Sequence, residues 1–115
     1  MNLLNLEDEK FKNVEVRGNK FKIRFMSPLD KIKIAQHRCL LQGGNPVDAL
    51  TQDDFIFMEN VSIVNVCTEE MPKGFNQNES CVNWDDGELI NELALEIRNH
   101  TNDIESKLKK NRPVE

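Results

Sequence analysis

The chain has 115 residues and a net charge of −5, with 38% hydrophobic and 30% charged side chains, which predicts a single globular domain and excludes a disordered chain. No apolar run approaches the ~18 residues needed to cross a bilayer, and Met1–Lys12 alternates apolar with charged residues where a signal peptide would be continuously apolar, so the expected location is the cytoplasm. Residues 1–50 carry nine Lys and Arg against six Asp and Glu, while residues 51–115 carry six against fourteen; an acidic chain without a concentrated basic face excludes a duplex-binding role.

Residues 3–6 suggest a short edge strand. Residues 13–25 then alternate with period two on both sides of Gly18-Asn19, with Val14 and Val16 before it and Phe21, Ile23 and Phe25 after it. Gly-Asn favours the positive φ of a tight turn, so a β-hairpin over about 13–25 is predicted, apolar on one face and wet on the other. The cations Lys20, Lys22, Arg24, Lys31, Lys33 and Arg38 read as the solvated faces of this hairpin and of the helix that follows it. A hairpin alone is marginal in water, so something must cover its apolar face.

Ser27-Pro28-Leu29-Asp30 is a helix start: Ser caps, Pro fits the first helical position and Asp complements the dipole. Leu29, Ile32, Ala35/Gln36 and Cys39/Leu40 recur at helical spacing as the expected cover, and Gly43-Gly44 ends a helix of about 28–42. Residues 47–50 suggest a further turn. Thr51 caps a second helix, predicted over about 51–71, that is apolar on more than one face through Phe55, Met58, Val61, Ile63/Val64, Cys67 and Met71. The β-branched run at 61–66 suits helix or strand; the cap and the overall length favour helix.

Residues 75–83 read as a surface loop containing Cys81. A third helix over about 84–110 follows, with Ile90, Leu93, Ile97, Thr101, Ile104 and Leu108 in one stripe, acids in its first half and Lys107, Lys109 and Lys110 at its end. Residues 111–115 are expected to fray. The plan is α+β, an N-terminal hairpin followed by three helices in one domain over 1–110.

No catalytic constellation emerges. His37 and Cys39 fall on different helix faces and cannot act as base and nucleophile together; His37 and His100 read as surface histidines. Asp53-Asp54, Glu69-Glu70 and Asp85-Asp86 lack the spacing of a magnesium or calcium site. Cys39, Cys67 and Cys81 match no metal motif and read as small hydrophobes. No enzyme, metal or cofactor is expected, which leaves surface for a protein partner. The stripe on the last helix suits a core-facing helix, yet it runs past what a hairpin and two shorter helices readily cover, so its distal half, about 97–108, either docks on its own core or projects to pack on another copy or on a client helix. The expected contacts are Ile97, Ile104 and Leu108, with Phe55 and Met58 contributing.

The order of parts is similar to that of a known family. A strand pair at 14–24, a Ser-Pro-Leu-Asp helix start, an acid-capped apolar helix and a terminal Trp84-to-Ile90 helix start with a basic end together resemble the small tail-assembly chaperones of long-tailed bacteriophages. The resemblance implies a non-catalytic protein of the host cytoplasm, absent from the finished virion. It would hold the helical tape-measure protein soluble and help to recruit tail-tube subunits. Some family members are made in two lengths by frameshifting, and this chain would match the shorter. The competing expectations are a head–tail joining or tail-completion protein that forms a ring, the basic first half of one copy meeting the acidic second half of the next, and a small regulator of a host protein.

Overall fold

A computed structural model describes residues 9–43, 51–75, 81 and 84–110. The expected edge strand at 3–6, the turn at 47–50 and the tail at 111–115 lie outside them. The architecture is the predicted α+β plan: strands β1 (Phe11–Val16) and β2 (Asn19–Arg24), helices α1 (Pro28–Gln42) and α2 (Gln52–Cys67), a short strand β3 (Thr68–Glu70), and helix α3 (Gly87–Lys110). The sheet is antiparallel with order β1-β2-β3.

The hairpin turn sits one residue earlier than the sequence suggested. Val16 pairs with Asn19, so Arg17 (φ 51°) and Gly18 (φ 81°) make the turn. Two successive positive φ values are what a two-residue hairpin loop needs to match the strand twist. Asn19, expected in the turn, instead braces it by donating its side-chain amide to the Arg17 carbonyl at 3.2 Å.

Both first helices start as predicted. Ser27 and Asp30 form a reciprocal capping box on α1, and Gly43 closes that helix in the left-handed conformation at φ 60°. Thr51 accepts from the Asp54 amide at 3.1 Å. The β-branched run is helical, but α2 ends at Cys67 and not near residue 71: Thr68–Glu70 breaks away to pair with β2 at Lys22 and Ile23. Helix α3 begins at Gly87, with the Asp86 carboxylate accepting from the Leu89 amide at 3.1 Å.

Val14, Val16, Phe21 and Ile23 from the sheet meet Val61, Val64 and Cys67 of α2 and Leu89, Ile90, Leu93, Ala94 and Ile97 of α3 in one buried cluster. Phe21, Phe75 and Trp84 pack over its edge with ring centroids 4.7–6.1 Å apart. Cys81, expected on a surface loop, is buried there, its thiol donating to the Val61 carbonyl at 3.3 Å. Burial pushes the thiols of Cys67 and Cys81 up to about 12, so both stay protonated.

Candidate partner-binding surface

The five expected contact residues do not form one surface. Ile97 and Ile104 are 0% and 1% exposed, so the third helix is covered further along than its length suggested. The cover is the lead-in to β1. His100 Nε2 lies 3.0 Å from the Lys10 carbonyl, Lys107 pairs with Glu9 at 3.3 Å, and Thr101 accepts from the Met26 amide at 2.8 Å. Residues 9–12 and 25–26 therefore close over α3, and Ile97 and Ile104 are core. His100, read as a surface residue, is buried for the same reason. Phe55 and Met58 are half-buried, with the Arg38 guanidinium 5.0 Å from the Phe55 ring centre. Only Leu108 stands clearly exposed, at 38%.

Among the described residues, the most exposed large apolar side chains lie on α1 instead. Leu29, Ile32 and Leu40 are 59%, 57% and 79% exposed, and the buried residues of α1 are Asp30 and Ile34. The stripe expected to cover the hairpin thus faces outward, with Cys39 exposed beside Leu40.

A tertiary ion pair sets this rotation. Asp30 binds Arg24 of β2 through two bonds, Nε–Oδ2 at 3.2 Å and NH2–Oδ1 at 2.7 Å, and Arg24 also bonds Glu69 of β3. Asp30 accepts from Ser27 N and Oγ at 3.1 and 2.9 Å as well. Burial raises the Asp30 carboxyl, but the Arg24 and Ser27 bonds outweigh it and hold it below the usual carboxylate range. Drawing Asp30 inward turns Leu29, Ile32 and Leu40 away, because residues on opposite helix faces cannot both point at the core.

The side of α1 that packs inward is partly polar. His37 Nδ1 lies 2.9 Å from Ser62 Oγ, and that hydroxyl donates to the Met58 carbonyl at 2.9 Å. His37 is therefore a packed residue and not the surface histidine expected; burial lowers its pKa. Arg38 and Arg98 share Glu59 at 3.1 and 3.5 Å.

At its N-terminal end the α1 stripe adjoins a groove of about 570 Å³ lined by Phe25, Met26 and Pro28 on one side and Asn102, Glu105, Ser106, Leu108 and Lys109 on the other. A lining that mixes apolar Phe25, Met26, Pro28 and Leu108 with polar Asn102, Glu105, Ser106 and Lys109 suits an amphipathic helix. A hollow of about 750 Å³ on the open sheet face is lined largely by Asn13, Glu15, Lys20, Lys22 and Glu70. There Glu15 lies opposite Lys20 and Lys22 opposite Glu70, so oppositely charged neighbours complement one another across the strands.

Sequence reasoning therefore found Leu108 and missed Phe25, Pro28, Leu29, Ile32 and Leu40 as surface residues. One signal was available. Ile34 and Leu41 sit a heptad apart on one face of α1, while Leu29, Ile32 and Leu40 sit on another, so the helix had more apolar faces than the core could take.

Among the described residues, no three His, Cys, Asp or Glu side chains gather as a metal-binding group, and no helix is long and apolar enough to cross a membrane. Comparison with known proteins gave no match to a family model, a curated protein or a solved structure.

Proposed function

We propose that this chain is a non-enzymatic protein-binding module. Its work would be that of a phage tail-assembly chaperone: keeping a helical tape-measure protein soluble and presenting it to tail-tube subunits in the host cytoplasm. The observation that carries the reading is the outward apolar surface, Leu29, Ile32 and Leu40 on α1 continuing into the Phe25–Pro28–Leu108 groove. A client helix laid there buries its apolar face while the charged rim stays wet. Exposed aliphatic side chains at helical spacing on a folded scaffold are what a holdase requires, and the ion pair at Asp30 keeps them from collapsing inward.

Co-expression with a long helical client of the tape-measure type tests the reading. Soluble client should rise with the wild-type chain and fall back when Leu108→Glu is introduced into the groove. No gain in soluble client with the wild-type chain refutes it.

A second reading, a head–tail joining ring, draws on the division of charge between a basic first half and an acidic second half. A ring that dissociates as salt is raised, seen by light scattering, would favour it over the chaperone.

A further inference from the structure

We infer that, when no client is present, the outer face of α1 is covered by α1 of a second copy of this chain, the two helices running antiparallel. This goes beyond the client reading, since it assigns a resting partner to the exposed stripe.

Three observations point to a second copy. The stripe has the spacing of a helix–helix seam: Leu29, Ile32, Gln36 and Leu40 follow spacings of 3, 4 and 4, the near-heptad repeat by which one helix packs along another. It is also self-complementary. With Gln36 on a two-fold axis, Ile32 of each copy lies against Leu40 of the other, the two Gln36 amides meet each other, and Leu29 lies at the end of the seam opposite Gly43. A single polar residue at such a position is a known device for fixing register.

Charge selects the antiparallel sense. Lys33 borders the stripe, and no ion pair involves it among the described residues. The last turn of α1 has no basic residue of its own, although a cation favours a helix C-terminus. In the antiparallel pair, Lys33 of one copy lies beside Cys39 of the other, in that last turn, and the helix dipoles oppose. A parallel pair would set Lys33 beside Lys33 and align the dipoles.

A seam with two paired exposed aliphatics per copy, Ile32 and Leu40, and Leu29 at its end is smaller than the ~800 Å² per partner of a standard stable complex. The dimer is therefore weak, forming over about 10–500 µM, and a client with a longer apolar face can displace it.

Sedimentation equilibrium of the full chain tests the pairing. The wild-type chain should pass from monomer to dimer across that range. Ile32→Glu and Leu40→Glu should stay monomeric with unchanged circular dichroism melts, because both side chains are exposed in the monomer. Lys33→Glu should weaken the dimer about 3- to 10-fold, and Leu95→Glu, at the exposed leucine of α3, should leave it intact. In a Cys39→Ser background, Gln36→Cys should give a disulfide-linked dimer under mild oxidation, and Lys31→Cys, on the side of α1 that meets α3, should not. Monomer at every concentration, or a dimer indifferent to Ile32→Glu and Leu40→Glu, overturns the inference. A chain that stays monomeric yet keeps a tape-measure helix in solution overturns the pairing and leaves the chaperone reading standing. A dimer that fails to raise client solubility does the reverse.

Discussion

Replacing Asp30 should both destabilise the fold and remove one source of its acid sensitivity. Asp30→Ala removes the bonds that Asp30 accepts from Ser27, half of the α1 capping box and worth about 1 kcal/mol, while Ser27 Oγ still caps the amide of residue 30. It also deletes two charge-assisted bonds to Arg24. Bonds to charged groups are worth about 1.5–3 kcal/mol each, but the Arg24 side chain is 27% exposed and keeps Glu69, so water recovers part of the loss. Counting one bond at the low end gives a total of about 2.5 kcal/mol, or roughly 10 °C in Tm for a domain of this size. Asp30→Asn keeps the volume and much of the cap but loses the charge, and should cost about 1–2 kcal/mol at pH 7. Because the folded state holds the Asp30 carboxyl below its ordinary range, the ionised form is favoured by folding. That stability is complete above pH ~4 and is lost as pH falls through the lower, folded-state value. Urea titrations of the wild-type chain and Asp30→Asn at pH 7 and at acid pH measure this directly: the gap should be open at pH 7 and narrow steadily below about pH 4. A gap under about 0.5 kcal/mol at pH 7, or one equally wide in acid, refutes the claim that this ion pair orients α1.

Four further outcomes follow from the packing. Ile97→Ala should cost about 3–5 kcal/mol by the usual penalty for a fully enclosed aliphatic, whereas Leu108→Ala should cost under about 1 kcal/mol; denaturant midpoints separate the two halves of the α3 stripe. Gly18→Ala should cost about 1–2 kcal/mol although nothing lies within 4 Å of the added carbon, because φ 81° is a left-handed conformation that disfavours side chains. Burial lowers the pKa of His37, so its contribution is complete above about pH 6.5 and shrinks as the unfolded chain takes up the proton below that; His37→Gln should flatten the stability profile between pH 7 and 5. In a thiol-reactivity assay, Cys39 should be modified at once, and Cys67 and Cys81 should react only as denaturant opens the core.

The fold was legible where local chemistry decides structure. The alternation at 13–25, the Ser27 and Thr51 caps and the long stripe from Ile90 each name an element without reference to the rest of the chain. The misplaced boundaries share a cause. Thr68–Glu70 is a strand only because β2 offers it an open edge, and no property of three residues announces a partner 45 positions away. Ile104 is buried only because residues 9–12 return across α3, a closure that the stripe's length could not reveal.

The candidate surface was harder to read because its position depends on a contest between two faces of one helix. By hydrophobicity alone, Leu29, Ile32 and Leu40 outrank the residues that replace them inside, among which are a carboxylate and an imidazole. Burying Asp30 is favourable only where a guanidinium waits for it, and Arg24 is supplied by a strand and steadied by a second strand's Glu69. The helix therefore gives up an apolar face to keep a charge pair satisfied, since an unpaired buried carboxylate would cost more than a few exposed aliphatics. An arrangement that spends hydrophobic surface in this way leaves α1 fixed in orientation with its greasiest residues facing outward, a disposition that suits a helix meant to meet another helix.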